Sequence, residues 1–385
     1  FSSISHFLLL LTSAAFNALH VGAFTGTYGV NYGRISDNIP QPESVVTLLK
    51  AAMIKNVKIF DADHSVLGAF AGSGIELVVG LPNESLRDVS GGEERAMDWV
   101  KSNLQPFLPG TRIRGVAVGN EVLGSGDAEL AAALPVAARN VHAALLRLNL
   151  TEVVQVVSPQ SEGVFAATFP PSTGAFKEEL LPYLRPLLRF FSQIGSPFHI
   201  NAYPFLAYKS DSAHIDLDYA LFGRTRGVFD GRTGLRYDNM LHAQIDATYA
   251  ALERAGFGRM EVVVSETGWA SKGDPDEAGA TPKNARDFNR RLRKLLAKKK
   301  GTPYRPKVVV KAYVFALFNE NLKPGKTSER NFGLFKADGS VAYNIGFTGL
   351  VPSSAAPGLS SAMMPLVFLL GFYWTTAALT NPFSF

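Results

Sequence analysis

Two glutamates stand where an apolar run gives out. The stretch 260–271 reads MEVVVSETGWAS, in which Met260, Val262, Val263 and Val264 suit a buried strand and Glu266 ends it. The stretch 113–121, IRGVAVGNE, repeats the arrangement with Glu121. An ionised carboxylate is costly to bury unless it is paired or hydrogen-bonded, so a strand that delivers one has either a partner or a use for it. For one such residue alone, a satisfied ion pair is an adequate reading. Two of them permit acid–base chemistry on a shared bond, one carboxyl carrying a proton while the other is charged.

The elements around them decide whether the two can meet. Short β-rich runs occur at 27–32, 57–62, 75–81, 113–121, 153–159, 198–204, 261–266 and 308–317, eight in all. Helical patterns fill several of the gaps, among them PESVVTLLKAAM, AELAAALPVAARNVHAALLRL, MLHAQIDATYAALERAG and NARDFNRRLRKLLAKKK. Apolar strands alternating with helices imply a parallel sheet covered by helices. Eight of them favour an α/β fold of the closed (β/α)8 TIM-barrel type, in a single domain, over an open doubly wound sheet. In such a barrel chemistry gathers at the C-terminal ends of the strands. The exits carry Tyr32, Asp61, Asn120 with Glu121, Tyr203, Glu266 with Trp269, then Phe318, Asn319 and Glu320. Strands 4 and 7, which carry the two glutamates, lie across the mouth from each other.

Two acids flanking one bond, among aromatic side chains, suit glycoside hydrolysis. One carboxylic acid protonates the leaving oxygen while the other group attacks or activates water, and aromatic faces stack on sugar rings. A spacing of about 5 to 5.5 Å between the carboxyls means retention, and about 6.5 to 9.5 Å inversion. Other chemistries lack their residues. There is no HExxH and no cysteine, so no Cys/His zinc cluster forms, and Ser265 is not in a G-x-S-x-G elbow. PGKT at 324–327 resembles the end of a P-loop, but Glu320 stands where its first glycine belongs. No metal or cofactor is expected. The formal charge is +5, with basic residues dispersed except in RRLRKLLAKKK at 290–300, which fits a solvated helix face and its cationic last turn. Nucleic acid is therefore not an expected partner.

The ends differ from the middle. No charged residue precedes Arg34 or follows Asp338. FLLLLTSAAFNALHVGA followed by Phe24 resembles a secretory signal over 1–23. The sequons Asn83-Glu84-Ser85 and Asn149-Leu150-Thr151 make Asn83 and Asn149 candidate glycosylation sites. Behind a small, polar spacer at 348–362 comes a hydrophobic tail at 363–385 with no basic residue after it. That order matches a glycosylphosphatidylinositol attachment signal at Ser353 or Ser354 better than a membrane span. The expectation is a catalytic domain at 24–347 in a monomer held by lipid at the extracellular face of the plasma membrane, with the cell wall and plasmodesmata as further locations.

Several motifs together resemble plant glycoside hydrolase family 17, the glucan endo-1,3-β-glucosidases. They are YGVNYGR at 28–34, VKIFDAD at 57–63, VAVGNEVL at 116–123, INAYPFLAY at 200–208, VVSETGWAS at 263–271, and YVFALFNENLKPG with SERNFGLF at 313–335. The resemblance implies a (β/α)8 barrel and a retaining mechanism on 1,3-β-glucan, with Glu121 as proton donor and Glu266 as nucleophile. It implies a charged cluster of Glu320, Lys323 and Glu329 beside the site, Asn120 near the sugar 2-hydroxyl, and Tyr203 orienting Glu266. Tyr32 is a further site residue, and Trp269, Phe205, Tyr208 and Phe318 are candidate stacking residues. Ala270 replaces a proline common in the family, Phe60 a tyrosine, and no cysteine-rich carbohydrate-binding module follows the barrel. A mixed 1,3;1,4-β-glucanase, a glucan transglycosylase and a catalytically weak glucan-binding protein remain open as alternatives.

Overall fold

A computed structural model describes residues 22–350. The expected signal segment as far as Val21, the expected attachment residue, Ser353 or Ser354, and the apolar tail lie outside the described residues. The framework is a parallel sheet of nine strands: β1 Tyr28–Tyr32, β2 Asn56–Ile59, β3 Glu76–Leu81, β4 Arg112–Val118, β5 Gln155–Val157, β6 Pro159–Ser161, β7 Phe198–Asn201, β8 Val262–Thr267 and β9 Ala312–Val314. Their order is β5-β4-β3-β2-β1-β9-β8-β7-β6, with every pairing parallel. Only Ser158 separates β5 from β6. These two are halves of one broken strand, the first pairing with β4 and the second with β7, so the sheet closes into a barrel of eight staves.

The strands read as apolar runs because both their faces are covered. Val57, Ile59, Leu77, Val79, Val116, Val118 and Val264 belong to the large core under the helices. Inside the barrel, Val78, Ala117, Val157, Val263 and Tyr313 pack with Phe24, whose ring centroid lies 4.1 Å from that of Tyr313. Ala23 is buried with them, its N–H donating to Gln155 Oε1 at 2.9 Å. Around the outside run α1 Pro42–Ala51, α2 His64–Ala69, α3 Glu93–Asn103, α4 Ala128–Arg147, α5 Leu181–Gln193, α6 Met240–Arg254 and α7 Pro282–Ala297, with shorter helical turns between them. Asp63, Asp127, Asn239 and Thr281 cap α2, α4, α6 and α7 through side-chain acceptors, satisfying first-turn N–H groups that have no partner within the helix. The basic run at 290–300 covers the last turns of α7 and the three lysines just beyond its end at Ala297, while the helix buries Phe288, Leu292 and Leu296, as the solvated-face reading expects.

Two expected strand boundaries need correction. The run 153–159 is broken at Ser158, and 308–317 yields only the strand Ala312–Val314. Beyond Val314 the backbone bonds go in turn to Thr267, Phe332 and Asn31, so no regular ladder continues. Among the described residues no helix is long and apolar enough to cross a membrane.

Candidate active site

Glu121 follows β4 by three residues, and the chain must turn sharply to place it. Gly119 has φ 64° and Glu121 φ 56°, two left-handed residues in three. The first is cheap because glycine has no Cβ; the second costs about 1–2 kcal/mol in an L-residue and has to be held by its surroundings. Three N–H groups do the holding: Gly119 donates to Leu81 O, Asn120 to Asn83 Oδ1 at 2.8 Å, and Glu121 to Pro159 O at 2.9 Å. The end of β4 is thereby fastened to the end of β3 on one side and to β6 on the other.

Glu266 lies within β8, where the register shifts between Val264 and Glu266 against β7, and between Val264 and Thr267 against β9. Such a bulge re-aims side chains at the end of a strand. The carboxylate is 6% exposed and fully engaged. Lys58 Nζ lies 2.8 Å from Oε1, and the Tyr203 hydroxyl donates to Oε2 at 2.9 Å. Lys58 also reaches Asn120 Oδ1 at 3.5 Å and sits 4.5 Å from the centroid of the Phe60 ring. The ammonium and the tyrosine hydroxyl between them occupy both carboxylate oxygens and fix the orientation of the group.

Glu121 lies in a different field. Burial raises its pKa above the ordinary carboxylate value, and the nearby charge of Glu266 raises it further. The hydrogen bond from Asn201 Nδ2, 2.8 Å long, and the cations Lys58 and Lys323 oppose the rise without cancelling it. Asn201 is held in turn, because Ser265 Oγ donates to its Oδ1 at 2.6 Å. Asn31 Nδ2 donates to Ser265 O at 3.2 Å. The two glutamates therefore sit in different environments, Glu121 with its pKa raised and Glu266 paired with Lys58, and acid–base catalysis by a carboxyl pair requires such a difference.

The supporting cluster is only partly a cluster of ion pairs. Lys323 pairs with Glu329 at 3.2 Å and stands 4.2 Å from the Phe315 ring centroid. Glu320 instead accepts the Ile35 N–H at 2.8 Å, and burial raises its pKa. Its carboxylate lies over Gly33, where an added Cβ would come within 2.5 Å of Oε1 and push the carboxylate aside. Arg34, at the exit of β1, bridges Asp61 at 2.5 Å and Asp63 at 3.0 Å, tying it to the exit of β2.

Three of the expected stacking residues are corrected by their burial. Trp269 and Phe205 are 0% exposed and Phe318 1%. The Trp269 ring packs between Phe205, Tyr208 and Phe288, and its Nε1–H donates to Gly279 O at 2.8 Å. Phe318 packs edge-on against Tyr32, itself 1% exposed. None of these rings offers a face to a substrate; they are the packing of the barrel rim. Tyr208 and Phe60 are half-buried, and Phe60 lines a 200 Å³ pocket with Lys58, Asn83 and Asn120. Of the two sequon asparagines, the half-buried Asn83 bonds the backbone of Asn120 through both ends of its amide, whereas Asn149 is exposed. The sequence reading missed Lys58 and Asn201; a lysine between the buried Val57 and Ile59 was the available signal.

A carboxyl whose pKa burial raises and a lysine-paired carboxylate at opposite staves of a parallel barrel place the molecule among the (β/α)8 glycoside hydrolases. Residues 28–347 match the family described as Glycosyl hydrolases family 17, and the chain belongs to that family. It is 48% identical over 324 residues to glucan endo-1,3-beta-glucosidase 14 of Arabidopsis thaliana, covering 84% of this chain and 83% of the relative. Glucan endo-1,3-beta-glucosidase 11 of the same plant is also 48% identical, over 84% of this chain and 76% of its own. Among solved structures, CJP38, a beta-1,3-glucanase and allergen of Cryptomeria japonica pollen, superposes with a TM-score of 0.80 at 39% identity, covering 84% of this chain and 99% of that one. One of two plant beta-glucan endohydrolases with distinct substrate specificities gives 0.77 at 35%, over 83% and 100%.

Proposed function

We propose that the protein is a retaining endo-hydrolase of 1,3-β-glucan. The observation that carries the reading is the opposite treatment of two glutamates at one site, Glu266 paired with Lys58 and Glu121 raised by burial and by Glu266. Glu266 attacks the anomeric carbon as the bond from that carbon to the bridging oxygen breaks, and the Glu121 proton passes to the departing oxygen. A glycosyl ester remains on Glu266. Water then gives a proton to Glu121 and attacks the same carbon, breaking the ester and restoring both groups with configuration retained. The linkage follows from the relatives, which are named for endo-1,3-β-glucoside cleavage.

The test is to offer laminarin and a mixed 1,3;1,4-β-glucan in parallel and to follow product size and anomer by NMR. Short β-configured products from laminarin alone are the expected result. Cleavage of the mixed-linkage polymer alone would move the substrate assignment, a reading that keeps some force because a similar structure belongs to a pair with distinct specificities. Longer products than the starting chains would indicate transfer. Glu266→Ala should remove nearly all activity from a folded protein. We further propose export and lipid anchorage, supported by the apolar 1–23 segment and the spacer and tail at 348–385. Phosphatidylinositol-specific phospholipase C should then release the full chain from membranes, and failure on an unmodified lipid would favour a span.

A further inference from the structure

We propose that Asn83 is a positioning residue for proton donation: it fixes the backbone from which Glu121 projects. The inference deepens the reading just given and rests on Glu121 being the proton donor. Asn83 follows β3 by two residues, in a short helical turn Asn83–Ser85. Its side-chain amide uses both ends on one residue. Nδ2 donates to Asn120 O at 3.0 Å while Oδ1 accepts Asn120 N–H at 2.8 Å. The pair imitates the two-bond exchange of neighbouring strands, made by a side chain at a point where β4 has ended.

The place of this clamp gives it a consequence for chemistry. Asn120 lies between the two left-handed residues Gly119 and Glu121. A strained conformation of that kind persists only where surrounding bonds over-determine it. Of the three N–H bonds that fasten 119–121, the Gly119 and Glu121 bonds reach main-chain carbonyls of the neighbouring staves, and the middle one depends on Asn83 alone. Losing the amide frees the Asn120 peptide to rotate, and Glu121 moves away from Asn201, from Glu266 and from the buried position that raises its pKa. Asn83 touches no reacting atom. A sugar on Nδ2 would fall where the amide grips the chain, inside the pocket lined by Phe60 and Asn120. The sequon at 83–85 is therefore silent in the folded enzyme.

The experiment compares Asn83→Ala with wild type on laminarin and on a laminaribioside with a dinitrophenyl leaving group, which departs without protonation. The expected result is a fall of about 10²-fold in kcat on laminarin with KM little changed, and a kcat/KM, which reports only the step that expels the leaving group, within about twofold of wild type on the activated substrate. The basic limb of the laminarin pH profile should also move to lower pH, since Glu121 loses the burial that raised it. Equal losses on both substrates, or no loss, would overturn the proposal. Glu121→Ala in the same assays separates the two layers of the argument. If it shows the substrate difference in kcat/KM and Asn83→Ala does not, only the positioning role fails; if Glu121→Ala loses kcat/KM equally on both substrates, the proton-donor assignment fails and the positioning role with it. Should Asn83→Ala not fold, Asn83→Asp keeps the size and the bond from Asn120 N–H but removes the donor, and a smaller loss confined to laminarin is expected. Mass spectrometry of Ser85→Ala, which destroys the sequon and keeps the amide, should show no change of glycan mass from wild type and no change of rate. A glycan at Asn83 of the active enzyme would overturn the proposal.

Discussion

Lys58 and Glu266 form a 2.8 Å ion pair whose side chains are 2% and 7% exposed, joining the second and seventh staves at the barrel mouth. Neither charge has enough water to replace the other. Removing one partner of such a pair leaves an uncompensated buried charge, at a cost of about 3–5 kcal/mol. In Lys58→Met the Glu266 carboxylate loses the cation it is paired with and held by. The expected outcome is at least a 10²-fold fall in kcat on laminarin, with a lowered melting temperature. Thermal scans and steady-state rates check both parts.

Tyr203→Phe isolates the other bond to the nucleophile. The hydroxyl donates to Glu266 Oε2 at 2.9 Å, and a hydrogen bond to a charged group contributes about 1.5–3 kcal/mol. The ring stays packed against Phe315 and Phe332, so the fold should hold. A fall of roughly 10- to 100-fold in kcat is expected, with KM nearly constant because the missing bond orients a reacting group and not the glucan. Steady-state kinetics on laminarin decide it; a rise in KM at constant kcat would assign the tyrosine to binding instead.

Trp269 gives the opposite kind of prediction. With its ring enclosed by Phe205, Tyr208 and Phe288 and its N–H bound to Gly279, Trp269→Ala should destabilise the protein by about 3–5 kcal/mol, as a core truncation does. Denaturant unfolding would show this directly. Trp269→Phe, which keeps most of the volume, should leave KM for laminarin near wild type. A stacking platform would instead show its loss in KM with little change in stability.

That contrast marks what the sequence makes legible. Buried parallel strands read as continuous apolar runs, so eight staves could be counted, and the polar residues that interrupt those runs at their C-terminal ends are the ones the barrel gathers. Glu121, Glu266, Asn120 and Tyr203 were visible for that reason. Lys58 was not, because it sits inside VKIF, where a run of neighbours conceals one inward-facing cation; its purpose appears only when Glu266, 208 residues away, closes on it. Asn201 escaped for the same cause. The aromatic residues were misjudged because exposure depends on partners remote in the chain, Phe288 for Trp269 and Phe335 for Phe318. The break at Ser158 was marked only by Pro159, which cannot donate to a strand ladder, and by the polar Gln160 and Ser161 behind it.

The pH dependence of catalysis follows from Glu121. Its carboxyl must be protonated to donate, so activity is present below its pKa and is lost as the pH rises through it. Burial first, then the charge of Glu266, sets that pKa above the ordinary carboxylate value, which carries the basic limb of kcat/KM upward. Lys323 works against them, lowering the pKa of Glu121 and of Glu320 while paired with Glu329. Lys323→Ala removes that cation and leaves the Glu329 carboxylate without it. Both changes favour the protonated acid. The basic limb should therefore move to higher pH on laminarin, and the limb should be absent with a dinitrophenyl glycoside that needs no proton. A limb that moved down, or persisted unchanged with the activated substrate, would show that the titrating group is not Glu121.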